Sequence, residues 1–534
     1  MLIADTLRAR RLATLVWVIA GIVFMVVIAY GYLEEVKAYP GGPPAMGAAL
    51  EAAAQAMRLL RWPAERLDTF GGYVTYHNLT LIALALGVWG AIQGVSLLRG
   101  AGAEGQLECL LAAGCPRRRL LAGRVAGWVI TLVVITAGIG AGLAAATAIA
   151  GDFDWSGSMI TMSSVMLAAL AYFGLGLALA QVVGPVRFAA GLAVTAVTGL
   201  YLLTNVAEEL GWVGTLRYLS PFHYSNGSRV LVPGHSIDLP AMVALCVMVT
   251  VAVGLSAWAF ERRDLGAALW RLDRTGARPR VKWAARSYWR AESGRHKLGL
   301  AAWSSGAAIL TGLMAWLEPV VVEMWDEMGL SRFLSPESGT SVTDSYFSLT
   351  SQLVAALIAG YAIYQAAGWV AEMQERRVEM FLSHPVSWQR LILHRLALAA
   401  CGVLAISAAA AAGLALGAAA VDAPLRPAGL LRTVPITLIL GLAALGLGAM
   451  LVAWKPTANG VALFSAVMFA SYLLAFAIPL FDLPDWTMNL SLFGAYGQPY
   501  LAFPDIGGLA LLTGLTLSGG VVAPHLADRN PKVA

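Results

Sequence analysis

Residues 12–30 read LATLVWVIAGIVFMVVIAY, a run without a single charge, and Arg8, Arg10 and Arg11 stand just before it. An α-helix rises about 1.5 Å per residue, so roughly twenty apolar residues cross the ~30 Å hydrocarbon core of a bilayer. The run exceeds the apolar region of about 7–15 residues in a secretory signal, and many more runs follow. It therefore reads as an uncleaved first span. Similar blocks predict about twelve spans: 12–32, 72–98, 121–149, 158–183, 187–206 and 238–260, then 298–317, 345–370, 390–419, 428–453, 458–480 and 504–525. Of 534 residues, 59% are hydrophobic and 13% charged, with a mean hydropathy of +0.71. A soluble domain carries about a quarter charged residues. The expected fold is an all-α polytopic membrane protein with the lipid bilayer as its first partner.

Basic loops stay on the cytoplasmic side, and this rule orients the spans. Arg8, Arg10, Arg11, Arg99, Arg117–Arg119, Arg124, Arg187, the basic residues of 262–297, Arg376, Arg377, Arg390, Arg395 and Lys455 fall on one side. Glu34, Glu35, Asp152, Asp154, Glu208, Glu209, Glu318, Glu323, Asp326, Glu327, Asp482 and Asp485 fall on the other. Both termini are thus expected in the cytoplasm, and the net charge of +5 needs no nucleic acid to explain it. None of the four cysteines falls on the expected outer face, so neither a disulfide nor a metal site is expected.

The chain repeats itself. An offset of 271 relates Glu104 to Glu375, Glu108 to Glu379, Arg119 to Arg390 and Pro185 to Pro456. It still holds for Ser220 with Ser491 and Phe222 with Phe493. A register constant over more than a hundred residues indicates duplication. Two six-span halves in parallel orientation follow, 1–260 and 298–534, joined by a linker, 261–297. That linker holds eleven Lys and Arg against four acids, with Trp270, Trp283, Tyr288 and Trp289 interspersed. This composition suits a helix lying on an anionic leaflet, or an ordinary basic loop.

Between the second and third spans, residues 105–124 read GQLECLLAAGCPRRRLLAGR. Leu107, Leu110, Leu111 and Gly114 share one helical face, with Glu104 and Glu108 on an adjacent strip. In the second half Val378, Phe381 and Leu382 repeat the apolar face, and Glu375 and Glu379 repeat the acids. Each segment breaks, at Gly114–Pro116 or His384–Pro385, before a basic cluster: Arg117, Arg118 and Arg119, or Arg390, with Arg376 inside the second segment. Topology accounts for the arginines but gives no reason for matched glutamates. A pair of acidic-apolar surface helices is what a soluble partner can grip; the alternative is two solvated turns inherited by duplication.

The pattern E-x-x-x-E-x-L-L-x-x-x-x-x-R-R at 104–118 resembles the permeases of type-2 ABC exporters, especially the polyketide-antibiotic and multidrug efflux group. The second copy, ERRVEMFLSHPVSWQR at 375–390, is closer to that family's usual form, whereas the first departs from it at Gly114-Cys115-Pro116. LSPF at 219–222 and FERRDL at 260–265 extend the resemblance. It implies that both segments are coupling helices docked on two copies of a separate ATP-binding cassette subunit, which holds ATP and Mg2+. It also implies residence in a bacterial plasma membrane. No G-x-x-x-x-G-K-[ST] occurs in this chain, so it is not expected to bind these cofactors or hydrolyse ATP itself. A proton-driven antiporter is the alternative. Such coupling calls for an ionisable group inside the membrane, and no Asp, Glu, Lys or Arg lies near the middle of any predicted span. A membrane scaffold gripped through the same helices is a third reading.

The resemblance further implies a substrate path between the halves, lined by the second and fifth spans of each. Asn78, Ile82, Leu86, Trp89 and Gln93 form one stripe on the second span, and Thr350, Val354, Leu357, Tyr361 and Tyr364 form its counterpart. The fifth spans offer Tyr201 and Asn205, and Phe464, Phe469 and Tyr472. Aromatics with a few amides suit bulky amphipathic small molecules, although the same stripes also serve helix packing. SPFHYSNGSR at 220–229 and SLFGAYGQPY at 491–500 are too polar to cross and rich in aromatics. They read as re-entrant or interfacial elements at an outer gate, with Phe222, Tyr224, Phe493 and Tyr496 as its residues, or as an aromatic belt.

Overall fold

The computed structural model describes residues 2–56, 64–100, 106–183, 186–207, 211–262, 288–327, 341–374, 387–480 and 484–529. The chain divides into two compact units, Met1–Ala277 and Arg278–Ala534. In the first, α1 (Leu2–Ala38) and α2 (Gly42–Ala56) precede the long α3 (Phe70–Leu98) and the short α4 (Gln106–Ala112). Then come α5 (Arg117–Ile149), α6 (Trp155–Val182), α7 (Val186–Val206), α8 (Pro221–Ser225) and α9 (Leu239–Arg262). The second unit has α10 (Tyr288–Trp316), α11 (Glu318–Glu327), α12 (Val342–Gln374) and α13 (Trp388–Ala420). It continues with α14 (Pro427–Trp454), α15 (Ala458–Leu480), α16 (Leu492–Tyr496) and α17 (Ile506–Arg529).

Eleven helices among the described residues are long and apolar enough to cross a membrane, one fewer than the reading of twelve. The span expected at 298–317 falls in α10, which is absent from the eleven. Its first ten residues include Arg290, Glu292, Arg295 and Lys297, and Ser304 and Ser305 interrupt the apolar part. The duplication is written into the element bounds. Adding 271 to the ends of α5 gives those of α13, and adding 271 to the ends of α8 gives those of α16.

Local chemistry sets these bounds. Pro116, with ψ at 140°, precedes α5, and an Asp154 carboxylate oxygen caps α6 by accepting from the Gly157 N–H at 2.7 Å. Such a cap satisfies one of the donors that a helix start leaves without an intrahelical acceptor. Within each unit the first long helix lies along the third: α1 along α5, and α10 along α13. The α3–α6 and α14–α17 pairs are the other principal seams. In hydrocarbon, helices gain little from apolar attraction to one another, so small residues that admit close backbone approach decide the seams. Gly142 lies against Ile22, and its equivalent Gly413 lies against the carbonyl of Ala308. On α9 the exposed face repeats Val243, Val247, Val251 and Leu255 every four residues, the stripe expected of a helix side turned to lipid.

A Cβ added at Gly413 would overlap the Ala308 carbonyl oxygen, so Gly413→Val must push α13 away from α10. The expected cost is about 1–3 kcal/mol, read as a lowered thermal midpoint in detergent. The same substitution at Gly306, where a Cβ meets nothing within 4 Å, should leave the midpoint nearly unchanged.

Candidate functional site

The segment expected to dock, α4, is held at the end of its unit by three kinds of contact. Leu107 is 4% exposed and belongs to the same core as Leu97, Leu98, Leu120, Leu121 and Phe260. Leu110 and Leu111 are half-buried, while Glu108, Cys109 and Ala112 are exposed. The helix ends on Gly114, whose φ of 82° is open to glycine at little cost. The Cys115 N–H donates to the Leu110 carbonyl at 3.1 Å and the Gly114 N–H to that of Leu111 at 3.0 Å. This is the paired capping pattern of a helix that stops on a left-handed residue. The Gly-Cys-Pro departure in the first copy is thus a stop signal followed by the start of α5.

The arginines that open α5 take protein partners. Arg117 Nη1 donates to the carbonyls of Phe260 at 3.0 Å and Glu261 at 3.1 Å, with its guanidinium 5.8 Å from the Phe260 ring centre. Arg118 forms an ion pair with the Glu261 carboxylate, and Arg119 is exposed. Arg124 Nη1 donates to the Leu97 carbonyl at 2.9 Å. Helix α4 and the start of α5 are therefore tied to the ends of α3 and α9. At the equivalent place in the second unit, Ser387 replaces Pro116 and caps α13 by accepting from the Arg390 N–H at 3.3 Å. Arg390 is exposed, whereas Glu104, Glu375, Arg376, Val378, Glu379 and Leu382 lie outside the described residues.

The two expected outer elements share two matched contacts. Ser220 Oγ donates to the Leu200 carbonyl at 3.2 Å, and Ser491 Oγ donates to that of Ser471 at 2.6 Å. The Tyr201 and Phe222 rings meet edge to face at 5.4 Å, and those of Tyr472 and Phe493 do so at 5.3 Å. All four pairings obey the 271 offset. Phe222, Phe493 and Tyr496 are buried, and Tyr496 exchanges a 2.9 Å hydrogen bond with Thr437. Tyr224 is half-buried and its hydroxyl donates to the Tyr218 carbonyl at 3.0 Å. Burial, with Arg217 nearby, holds His223 below its ordinary value against the pull of Asp238, so its imidazole is neutral at pH 7.

The path residues fall into two groups. Asn78, Ile82 and Leu86 are buried within the first unit, Asn78 inside a π-helical turn, Thr75–Leu79. The Trp89 ring sits 5.5 Å from that of Trp17 and 4.5 Å from that of Trp128, and Gln93 Oε1 accepts from Arg10 at 2.9 and 3.2 Å. Tyr201, Thr350, Tyr361 and Phe464 are likewise buried, Leu357 and Asn205 half-buried. Tyr364, Phe469 and Tyr472 form the second group, at 42%, 37% and 43% exposed. These three present aromatic surface beyond their own packing.

Residues 3–265 match the family model described as ABC-2 family transporter protein, and residues 291–523 match that described as multidrug efflux system permease Rv1217c, C-terminal domain. The chain belongs to the ABC-2 transporter family. No curated relative matches it. An ABC-2 permease is the membrane subunit of an ABC exporter, and membership implies a partner ATP-binding subunit. The permease's handle contacts with Phe260 and Glu261 could have been suspected in the sequence only from their position at the sixth span's end. Arg10–Gln93 and the buried Glu372–Arg395 ion pair had no sequence signal, because each joins residues at least twenty-three positions apart.

Gly114→Ala should cost the handle about 1 kcal/mol, since alanine resists φ near +80°. Amide exchange at Ala113 and Cys115 should then quicken about five- to tenfold while α5 is unaffected. Unchanged exchange at those amides would count against the cap.

Proposed function

We propose that this permease exports bulky amphipathic compounds, antibiotics and drugs among them, across a bacterial plasma membrane by alternating access. The observation that carries the reading is the rigid mounting of the first handle, with Glu108 displayed and Leu107 sunk in the core. A force applied to that helix reaches α3 through the Leu107 core and α9 through Arg117 and Arg118. Two copies of the ATP-binding cassette subunit, each holding ATP and Mg2+, dock one on each handle. ATP binding draws the partner copies together, and the spans fastened to the handles move as bodies. The aromatic surfaces of Tyr364, Phe469 and Tyr472 then serve the moving substrate, which needs few polar contacts for orientation. Phe222 and Phe493, each braced by a tyrosine of the preceding span, act at the outer end. Both termini lie in the cytoplasm with the handles.

Two experiments test this reading. Vesicles containing the permease and its ATP-binding partner should accumulate a fluorescent amphipathic drug only with ATP. Transport driven by a proton gradient without that partner would establish the antiporter in its place. Glu108→Lys and Glu379→Lys should each weaken partner binding at least tenfold, about 1.4 kcal/mol, in a pull-down titration. Wild-type binding in both variants would remove docking through the handles.

A further inference from the structure

The second unit holds a cavity of about 240 Å³ at a place where the first unit holds stacked rings. Its walls include Lys297 of α10, Tyr361, Tyr364 and Trp369 of α12, and Arg395 and Ala399 of α13. The duplication shows what it lacks. Through the 271 offset, Ala399 stands at the register of Trp128 and Ala444 at that of Phe173; along α12 the register is 272, which sets Tyr361 at that of Trp89. In the first unit these three rings form one stack: Trp89 to Trp128 at 4.5 Å and Trp128 to Phe173 at 5.3 Å. The Arg10 guanidinium lies 5.6 Å from the Trp128 ring centre and donates to Gln93, closing the niche with a cation over an indole.

The first helices of the units align through their glycine seams. Gly142 opposes Ile22, and Gly413 opposes Ala308, so 286 relates α1 to α10. That offset sets Trp303 at the register of Trp17 and Lys297 at that of Arg11, one position from Arg10. Trp303 keeps its aromatic role, 6.0 Å from the ring of Tyr361, as Trp17 lies 5.5 Å from that of Trp89. Among the described residues, no ring stands at the Trp128 position, which Ala399 holds. The first unit thus fills its own niche with an aromatic ring and a cation, and the second retains the cation and leaves out the ring.

Charge narrows the occupant. Arg395 is paired with Glu372, and both are buried, so that pair contributes no net charge. Lys297 is exposed and leaves the niche net positive. We propose that this niche binds a flat aromatic ring system bearing an anionic group, with the ring where Ala399 replaces Trp128 and the anion at Lys297. This rests on the export reading above and names a chemical class within it. The volume, smaller than the roughly 300–1,000 Å³ of a drug-sized pocket, fits one fused ring system rather than a whole bulky molecule.

The test uses the full-length permease alone, in nanodiscs of zwitterionic lipid, titrated calorimetrically with 2-naphthalenesulfonate. Ala399→Trp should abolish binding by supplying the missing ring, and Ala399→Leu, a milder filling, should weaken it at least tenfold. Lys297→Gln should weaken the sulfonate about tenfold and leave 2-naphthylmethanol unchanged. Wild-type affinity in a folded Ala399→Trp or Ala399→Leu variant would overturn the proposal. So would equal binding of the sulfonate by wild type and Lys297→Gln. A phospholipid retained by the wild type in native mass spectrometry, and lost from Ala399→Leu, would also overturn it by giving the niche to lipid. The measurement omits the ATP-binding subunit. Failed ATP-driven export with intact naphthalene binding would therefore count against the transport reading, and the converse against the niche.

Discussion

Inside hydrocarbon no water accepts a peptide hydrogen bond, so every backbone group must be satisfied within its own helix, and contact between helices must come from shape. That constraint runs through the whole permease. It makes the elements long helices, and it sets the seams at positions such as Gly142 and Gly413, where a neighbouring helix comes within reach of the backbone. It also leaves polar groups to cluster at the helix ends. Arg117, Arg118, Glu261, Arg124 and the capping residues of α5 and α13 are found there. The candidate functional parts of the molecule are accordingly its ends and the few places where close packing is interrupted.

The short helix α4 illustrates how an end segment is held rigid. A seven-residue helix has no stability of its own, because nucleation is costly and few internal bonds repay it. Its order comes from Leu107 in the core, from the glycine stop at Gly114 and from the fixed start of α5 at Pro116. Arginines that topology alone would send toward lipid phosphates instead lock the start of α5 to the end of α9. The arrangement makes one rigid corner of three spans, and Glu108 is displayed on it.

Duplication supplied the frame, and divergence supplied the differences. The serine and aromatic contacts at the outer elements recur in both units with the same partners, so a change there would have disturbed a packed pair. The aromatic stack of Trp89, Trp128 and Phe173 did not survive in the second unit. Loss of the Trp128 and Phe173 rings from a close-packed interior ordinarily leaves either collapse or a void. Here Tyr361 and Trp303 fill part of the space, and a cavity fills the rest.

Read alone, the sequence was enough for the membrane class, eleven of the spans, the 271-residue duplication and the short helix α4 between the second and third spans. Each of these depends on local composition or on a fixed period along the chain, which a one-dimensional reading can detect. The matched Tyr201–Phe222 and Tyr472–Phe493 pairs were half-visible, since each residue stood out without its partner. The tertiary structure alone decided which side of α3 is covered, why Leu107 anchors the handle, and where Arg10 and Arg117 find acceptors. It alone turned the change from Trp128 to Ala399 into a cavity, because three helices distant in sequence must converge before a missing side chain becomes empty space.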